Sequence, residues 1–448
     1  MRFVSTRDPA VTVGFAEALE QGLAPDGGLY GPSEWPEVDP RGLAEAAGRV
    51  GGAAPAKGRL TAARGLAALG AALIEPFAAG SRLGPLLGDI AAEAFGFDAP
   101  LVELLPEGRL SVLELFHGPT AAFKDFGARF LAASLARLRE RAERPLTVLV
   151  ATSGDTGGAV AAAFHHRPGI EVAVLYPQGL VSPTQERQLT CWDGNVRTFA
   201  VRGTFDDCQR LVKEAFLDPA LAERRELTSA NSINLGRLLP QAVYFAAASL
   251  EIWCEHGSPA SFVVPAGNLG NAVACLWARK LGLPIADVVL AHNANSTVPD
   301  FLRTGTWQPR PSIATLASAM DVGNPSNMER VIHLYPGIER LRGALEADSV
   351  DDAHIRSRIR SSYERFGQVW CPHTAAAAEA YERLGDARRL RGRWVIVATA
   401  HAAKFREIVE PLIGRPVETP QSLARLFARP VRCIEIDPRL DALRRALD

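Results

Sequence analysis

The fold of this 448-residue chain is decided by residues 146–165, which read LTVLVATSGDTGGAVAAAFH. Residues 146–152 form a short apolar run rich in β-branched side chains, which is typical of a buried strand. A glycine-rich turn, Ser153-Gly154-Asp155-Thr156-Gly157, follows, and an alanine-rich helical pattern begins directly after it. The order of strand, glycine loop and helix predicts an α/β protein, in which ligands bind at the carboxyl ends of the strands.

A second stretch, residues 261–280 (SFVVPAGNLGNAVACLWARK), repeats this design around Gly267-Asn268-Leu269-Gly270-Asn271. Glycines let the backbone adopt positive φ and approach a ligand closely. The free N–H groups and partial positive charge of a helix N-terminus bind an anion such as phosphate. The structural alternative is that the glycines serve only the turn. Neither loop fits the P-loop or the dinucleotide-binding pattern.

A third loop lies in residues 111–126, SVLELFHGPTAAFKDF. A strand over 111–116 runs into a Gly-Pro turn, and a helix is predicted from near Ala121 through Arg137. Lys124 then lies in the first helical turn, where a cation is electrostatically disfavoured. A solvated surface lysine is the alternative, but the neighbouring side chains are apolar. They favour a partly buried lysine with a lowered pKa, which can form a Schiff base and carry protons.

Other short β-branched runs alternate with helical patterns along the chain and predict further strands, at 171–176, 196–201, 287–291 and 394–399. Strands separated by helices indicate βαβ units and mainly parallel sheets covered on both faces. Residues 305–327 have weak periodicity and are predicted to form a long ordered loop. The predicted organisation is an N-terminal region (1–98), a catalytic core of two α/β subdomains (99–420) and a C-terminal tail (421–448).

Composition and charge exclude several classes of protein. The net charge of −1 gives no basic excess for binding nucleic acid. The six cysteines form no C-x-x-C pair, and no H-E-x-x-H pattern occurs, so no metal is predicted. No signal peptide or membrane span is apparent, which predicts a cytoplasmic protein that does not act at a membrane. The sequence leaves monomer and homodimer open.

The segment Gly118-Pro119-Thr120-Ala121-Ala122-Phe123-Lys124-Asp125 resembles the lysine motif of threonine synthases. These are pyridoxal-phosphate (PLP) enzymes of fold type II, in the tryptophan-synthase-β group. Further motifs of that family are matched in order along nearly the whole chain, at residues 21–30, 151–157, 229–237, 267–271, 319–327 and 399–405. The resemblance implies two open, mainly parallel sheet domains with an N-terminal helical region, and PLP as cofactor.

The resemblance also implies roles for residues at the cofactor. Lys124 would hold PLP as a Schiff base and then serve as the catalytic acid and base. Thr399 would hydrogen-bond the pyridine nitrogen, and Asp155 would lie near the 3′-oxygen. The PLP phosphate would be bound by the glycine loop, whose members are Gly267, Asn268, Leu269, Gly270 and Asn271.

For the substrate, the resemblance implies O-phospho-L-homoserine, which reacts with water to give L-threonine and phosphate by γ-elimination and β-addition. The enzyme would thus be a carbon–oxygen lyase acting on phosphates, at the last step of threonine biosynthesis. Arg237 would bind the substrate phosphate; its alternative is a surface arginine. The residues predicted to bind the substrate carboxylate and phosphate are Ser153, Thr156, Asn231, Ser232, Asn234 and Arg237.

Two other functions stay open at the level of sequence. A phospho-lyase of the same fold would release 2-ketobutyrate from the same substrate, because the two outcomes diverge only after a shared intermediate. A catalytically silent ligand-binding relative is the other possibility, although the intact Lys124 and both glycine loops argue against it.

Overall fold

The computed structural model describes residues 1–48, 58–140, 142 and 144–448. Residues 49–57 of the predicted N-terminal region therefore lie outside the described residues.

Strands in the described part of the chain belong to three sheets. In chain order they are β1 Phe3–Ser5, β2 Thr12–Val13, β3 Tyr30–Pro32, β4 Leu101–Leu105, β5 Leu110–Glu114, β6 Leu146–Ala151, β7 Ile170–Pro177, β8 Val196–Val201, β9 Glu226–Ser229, β10 Ala260–Pro265, β11 Ile285–His292, β12 Glu346–Ser349, β13 Arg393–Ala398 and β14 Ile434–Ile436.

Helices connect most of these strands. In chain order they are α1 Phe15–Gln21, α2 Pro40–Gly48, α3 Ala63–Ala78, α4 Leu87–Ala94, α5 Lys124–Arg139, α6 Asp155–Phe164, α7 Pro183–Thr190, α8 Phe205–Phe216, α9 Pro219–Arg224, α10 Leu235–Leu238, α11 Ala242–His256, α12 Gly270–Lys280, α13 Thr297–Thr304, α14 Met328–Leu334, α15 Ile338–Ala344, α16 Asp352–Phe366, α17 Pro372–Glu382, α18 Asp386–Arg391, α19 Arg406–Ile413, α20 Gln421–Phe427 and α21 Leu440–Leu447. Short 3₁₀ turns occupy Gly84–Leu86, Pro106–Gly108, Leu239–Gln241, Ser318–Met320 and Ala402–Phe405.

The two larger sheets are open and mainly parallel. One has the order β12-β11-β10-β13-β5-β4, in which only the β4–β5 pair is antiparallel. The other, β14-β8-β7-β6-β9, is parallel throughout. The predicted fold class is therefore confirmed. Each sheet reverses its strand order once, between β10 and β13 in the first and between β6 and β9 in the second, and such switch points are where α/β sheets bind ligands.

All seven strands predicted from apolar runs are present, with ends that differ by no more than two residues. Every residue of β6 and of β10 is buried, which explains why both read as continuous apolar runs rather than alternating patterns. The predicted loop 305–327 is confirmed, since it is irregular apart from the 3₁₀ turn at Ser318–Met320. No described helix combines the length and apolar character that crossing a membrane requires.

The N- and C-terminal segments hold structure that the sequence patterns did not predict. Near the N-terminus, β2-β1-β3 form a small antiparallel sheet beside the expected helices. Near the C-terminus, β14 pairs with β8 and extends the five-stranded sheet, so part of segment 421–448 is integral to that sheet. The domain boundaries at 98 and 420 stay a prediction.

Candidate active site

Five loops that follow parallel strands carry the residues singled out by the sequence. Within the six-stranded sheet, Lys124 follows β5, the Gly267–Asn271 loop follows β10 and Thr399 follows β13. Within the five-stranded sheet, Ser153–Gly157 follow β6 and Asn231–Arg237 follow β9. The carboxyl ends of parallel strands lie at one edge of a sheet. The topology therefore places the loops after β10 and β13 at the switch point of the first sheet, with the Lys124 loop one strand further along, and the loops after β6 and β9 at the switch point of the second.

The loop before Lys124 is joined to the loop after β13 by backbone hydrogen bonds. Ala122 and Ala400 form an antiparallel bridge, and His401 donates its N–H to the Ala121 carbonyl at 3.1 Å. Phe123 donates its N–H to the Thr399 carbonyl at 2.9 Å. These bonds hold Lys124 and Thr399 on one rigid unit. The predicted start of α5 near Ala121 is wrong, and the helix begins at Lys124. Ala121 has a φ of 53°, which lies outside the right-handed helical region.

Asp125 stabilises the turn that precedes the helix. Its buried carboxylate accepts hydrogen bonds from the Thr120 N–H at 2.8 Å and from the Thr120 hydroxyl at 2.6 Å. A side chain at Gly118 would place its Cβ only 2.5 Å from the same carboxylate, so glycine is required there. Sequence reasoning gave Asp125 no role. A signal was available in the Thr120 N–H, which follows the Gly-Pro pair and needs an acceptor.

The Lys124 amine has an unusual protonation equilibrium. Burial lowers its pKa to about 8 from an ordinary value near 10.5, and the nearby charges of Lys404 and Arg237 act in the same direction. Asp155 opposes them but does not outweigh burial. A large share of the amine is therefore neutral at mildly alkaline pH, which is the form that attacks a carbonyl and accepts a proton.

This lowered pKa predicts a pH dependence for covalent capture of PLP. Capture needs the neutral amine, so its rate in cofactor-free protein should rise as pH increases through about 8 and level off above that value. An unperturbed lysine would instead show a rise near pH 10.4. Stopped-flow absorbance of added PLP measures the rate at each pH. A plateau that appears only above pH 10 would contradict a lowered pKa for Lys124.

Asp155 and Lys404 form a buried ion pair next to Lys124. The Lys404 ammonium lies 2.7 Å from the Asp155 carboxylate and also donates to the Thr120 carbonyl at 3.0 Å. Gln185 donates to the same carboxylate at 3.1 Å. Burial acts to raise the Asp155 pKa, but the charges of Lys404 and Lys124 hold that pKa well below its usual value. Asp155 thus stays ionised, and the stability that it contributes is lost only as pH falls below the ordinary carboxyl range.

His373 adds a neutral imidazole beside this pair. Burial lowers its pKa to about 4. Its Nε2 accepts the Ala319 N–H at 3.1 Å, so the proton of the neutral ring resides on Nδ1, which faces the Cys371 sulfur at 3.7 Å. The contact ties the 319–327 motif to α17. The geometry thus gives His373 a structural role.

The Ser153–Gly157 loop is shaped by the residue before it. The Thr152 hydroxyl oxygen accepts the N–H groups of Gly154 at 3.0 Å and Gly157 at 2.9 Å. Gly154 has a φ of 140°, and a Cβ there would lie 2.5 Å from the Gln185 side chain. Ser153 and Thr156 stay partly exposed at the start of α6. Their predicted contact with substrate stays a prediction.

The predicted phosphate loop is braced by three amide and hydroxyl side chains. Asn268 donates to the Ser232 hydroxyl oxygen at 2.8 Å, and Asn327 donates to that oxygen at 3.1 Å and to the Asn268 carbonyl at 2.9 Å. Leu269 is buried with a φ of 62°, which turns the chain into α12. The buried Nδ2 of Asn271 has no hydrogen-bond partner in the described protein. An unpaired donor in this loop fits an anionic ligand that the protein alone does not supply.

Gly270 should be more sensitive than its neighbour. A Cβ on Gly270 would lie 3.0 Å from the Ser232 Cβ, so Gly270→Val forces the loop and the Ser232 segment apart. Overpacking of this kind costs about 1–3 kcal/mol, and we expect PLP affinity to fall by roughly 5- to 150-fold. Leu269→Phe is the matched control, because that side chain packs in the core rather than towards the backbone N–H groups. Equilibrium dialysis measures both affinities, and equal losses would contradict this account.

The polar side chains of the Asn231–Arg237 segment differ in how far the protein itself uses their hydrogen-bonding groups. Asn231 donates to the Ala151 carbonyl at 3.1 Å, which brings the segment to the end of β6. Asn234 is fully buried and uses both amide hydrogens, on the carbonyls of Leu19 at 2.9 Å and Ser229 at 3.1 Å. The predicted contact between Asn234 and substrate is not supported by these bonds. Asn234 instead caps α10 through the Gly236 N–H.

Arg237 is a buried cation that makes no ion pair with any of the described residues. Its Nη1 donates to the Ala230 carbonyl, and its buried Nε has no partner in the described protein. Burial lowers the pKa of Arg237 to about 10, and Asp125 supplies only a longer-range attraction. The alternative of a surface arginine is therefore wrong, since Arg237 is only 2% exposed. A buried, uncompensated guanidinium calls for an anion.

Arg330 shows the opposite pattern, and no sequence motif pointed to this residue. Its guanidinium is buried and donates to the carbonyls of Tyr30 at 3.0 Å, Ser232 at 3.3 Å and Ile233 at 2.7 Å, and to the Asn327 side chain at 2.7 Å. Arg330 therefore joins the N-terminal region, the loop after β9 and the 319–327 motif. Four of its five N–H groups are used by the protein, which gives Arg330 a role in positioning these segments.

Comparison with known proteins agrees with this geometry. Residues 98–400 match the family model for pyridoxal-phosphate dependent enzymes, while residues 2–49 and 374–447 match the models for the threonine synthase N terminus and C terminus. The Escherichia coli threonine synthase is 37% identical over 447 residues, covering 100% of this chain and 99% of the relative. The chain belongs to the threonine synthase family.

Solved structures of threonine synthases support the same assignment. The E. coli structure superimposes with a TM-score of 0.88 at 36% identity, covering 100% of this chain and 99% of that one. The PLP-bound enzyme from Brucella melitensis gives a TM-score of 0.88 at 31% identity, covering 100% and 98%. PLP is thus confirmed as the cofactor, and the phospho-lyase alternative receives no support from these threonine synthases.

The residues present in this threonine synthase chain fit PLP. A partly buried amine with a lowered pKa offers a covalent attachment point at Lys124. The start of α12, with its glycines and the unpaired Asn271 donor, suits the phosphate. Thr399 lies beside the lysine loop on the same backbone unit. When bound, PLP supplies an electron sink for carbanion chemistry.

Proposed function

We propose that this chain converts O-phospho-L-homoserine and water to L-threonine and phosphate, with Lys124 as its catalytic acid and base. The observation that carries the proposal is the buried Arg237 guanidinium, which lies near Lys124 and has no close counter-ion in the part of the chain that the structure describes. A substrate phosphate would provide the missing charge, and the planar guanidinium suits its geometry. A substrate with a hydroxyl in place of the phosphate would leave Arg237 unpaired.

The charges of the site support a doubly anionic substrate. Lys124, Lys404 and Arg237 interact around Asp155 and Asp125 in a buried space, and the N-terminus of α6 adds a partial positive charge. We propose that Ser153 and Thr156 bind the substrate carboxylate at that helix start. Asn231 and Ser232, next to the cofactor-phosphate loop, would bind the substrate phosphate together with Arg237.

Lys124 is suited to the proton transfers that the reaction needs. Removal of the α-proton and of a β-proton, and the return of protons after phosphate leaves, each require a base or acid within reach of the substrate carbon concerned. An amine with a pKa of about 8 is close to the working pH and can serve in both forms. Water is needed only for addition at Cβ, and the burial of the surrounding groups limits its earlier access.

The product decides between this proposal and the phospho-lyase. Purified protein with PLP and O-phospho-L-homoserine should release threonine and phosphate in equal amounts, measured by amino-acid chromatography and a phosphate assay. 2-Ketobutyrate as the main product, detected with a coupled dehydrogenase, would overturn the proposal. Action in the cytoplasm, and the choice between monomer and homodimer, stay predictions.

Arg237 gives the sharpest test of substrate choice. Charge-assisted hydrogen bonds contribute about 1.5–3 kcal/mol, so Arg237→Ala should raise the KM for O-phospho-L-homoserine roughly 10- to 150-fold. Arg237→Lys should restore part of the loss, because it keeps the charge but not the bidentate geometry. Steady-state kinetics measure the effect.

The visible absorbance of lysine-bound PLP is the control for Arg237→Ala, since it shows that the cofactor site is intact. Arg330→Lys is a matched variant at a second buried arginine, whose donors are used by the protein. It should lower stability rather than raise KM selectively. An unchanged KM in Arg237→Ala would move the substrate phosphate to another cation.

A further inference from the structure

Two adjacent histidines and an aspartate come together on the five-stranded sheet, away from the residues discussed so far. His165 and His166 follow α6, and Asp193 precedes β8. One possible ligand atom from each lies within 4.8 Å of the others. The three residues lead into the amino ends of β7 and β8, whereas the candidate active site lies at carboxyl ends. This group therefore takes no part in the reaction proposed above.

The backbone holds the two imidazoles in a fixed arrangement. His166 has a φ of 59°, a conformation that non-glycine residues rarely adopt. The strain is held by the Asn195 side chain, which accepts the His166 N–H at 2.7 Å and donates to the carbonyls of Phe164 at 2.9 Å and Ile170 at 2.8 Å. As a result the two imidazole rings lie 3.7 Å apart between centroids. Strained residues of this kind are over-represented at ligand sites.

The carboxylate completes the group from a separate segment of chain. Asp193 Oδ1 lies 2.8 Å from Nε2 of His165 and 4.0 Å from Nε2 of His166. The other oxygen, Oδ2, faces Arg432 at 3.9 Å, which leaves Oδ1 to the histidines. The His165 ring also packs edge-on against Trp192, with centroids 5.1 Å apart. One ligand is therefore fixed by packing, and a second is held by its backbone.

We propose that His165, His166 and Asp193 bind a divalent late transition metal, with Zn²⁺ as the preferred ion. Two imidazoles and a carboxylate are a known zinc ligand set, and they also suit Cu²⁺ and Ni²⁺ better than Mg²⁺ or Ca²⁺. With metal–ligand bonds of about 2.0–2.1 Å, tetrahedral ligand atoms lie roughly 3.3 Å apart. A small rotation of the His166 ring, whose side chain is 70% exposed, would bring its Nε2 into range. Water would fill the fourth position.

The metal would have a structural effect. It would join the C-terminal end of α6 to the turn before β8, two segments connected by side-chain hydrogen bonds from Asn195. A ligand that binds only the folded state stabilises it by mass action. The sequence did not predict this site, because Asp193 is separated from the histidines by β7 and α7 and forms no local motif with them.

Isothermal titration of metal-free holoenzyme with Zn²⁺ tests the proposal. We expect one ion per chain in this site. His166→Ala and Asp193→Asn should each lower the Zn²⁺ affinity by at least about tenfold, because loss of a group that only supports a ligand already costs about 10- to 100-fold. His354→Ala is the matched control. His354 is an exposed histidine whose Nδ1 lies 2.9 Å from the Asp351 carboxylate, but it belongs to no three-residue ligand group in the described chain.

Cu²⁺ electron paramagnetic resonance gives an independent readout. The wild-type spectrum should show splitting by two imidazole nitrogens, and the His166→Ala spectrum should show splitting by only one. The thermal midpoint should rise with Zn²⁺ in the wild type and in His354→Ala, but not in His166→Ala. Absence of Zn²⁺ binding, or binding that His166→Ala and Asp193→Asn leave unchanged, would overturn the assignment.

Discussion

Lys124→Ala should abolish covalent attachment of PLP and lower turnover by at least about 10⁴-fold, while the protein stays folded. Each proton transfer by a positioned group typically contributes about 10²–10⁴-fold, and this amine is assigned several of them. Lys124 is partly exposed within the site and begins α5 without making an ion pair of its own in the described structure. Its truncation should therefore cost little stability. Absorbance of bound PLP and steady-state kinetics measure the two effects.

Borohydride reduction identifies the attachment point independently. Reduction should fix PLP on the peptide that contains Lys124 in the wild type, as read by mass spectrometry, and on no lysine in Lys124→Ala. Lys213→Ala is the matched control, since Lys213 lies exposed on α8 and should change neither labelling nor turnover. Label on Lys404 in the wild type would show that the two amines have been assigned the wrong way round.

Lys404→Met should be the most destabilising single change in the site. It leaves the Asp155 carboxylate buried without its closest partner, and loss of one member of a buried ion pair typically costs about 3–5 kcal/mol. The double variant Lys404→Met/Asp155→Asn removes the orphaned charge and should recover much of that loss. Urea titration followed by circular dichroism measures the free energy of unfolding. If the free-energy loss of the double variant equals the sum of the two single losses, Lys404 and Asp155 are not coupled.

The same substitution should change the chemistry of Lys124. Lys404 lowers the pKa of Lys124, whereas Asp155 raises it. Loss of Lys404 alone should therefore raise the Lys124 pKa and shift the pH dependence of PLP capture to higher values. Asp155→Asn alone should shift it the other way. Opposite shifts in the two variants separate an electrostatic role from general damage to the site, which would move both in one direction.

The sequence predicted those parts of the fold whose signals are local. Continuous apolar runs such as β6 and β10 were found because both faces of these strands are buried. β12 (Glu346–Ser349) was missed because it is an edge strand with an exposed or partly buried polar sequence. β14 was missed for the same reason, since only Ile436 of its three residues is buried. Edge strands carry little hydrophobic signal, so their pairing depends on tertiary contacts.

The sequence indicated candidate site residues where glycine and lysine motifs mark them, and it did not indicate contacts between residues that are distant along the chain. The sequence identified Lys124, Asp155 and the 267–271 loop, but not the pairing of Asp155 with Lys404, which joins residues from opposite halves of the chain. Arg237 and Arg330 look alike in sequence. Only their contacts show that Arg237 has spare donors, whereas Arg330 directs four of its five N–H groups to carbonyls and Asn327.

The backbone bonds between the Ala121–Phe123 loop and the Thr399–His401 loop have a consequence for how new substrate preferences can arise in this fold. Lysine and threonine, the groups proposed to hold two ends of the cofactor, share one sheet and one set of main-chain bonds. The segments after β6 and β9, proposed to face the substrate, belong mostly to the other sheet. Changes in the substrate-facing residues of those two segments could therefore alter which amino acid is processed, as long as Asp155, which acts on the Lys124 pKa, and Ser232, which braces the phosphate loop, are kept.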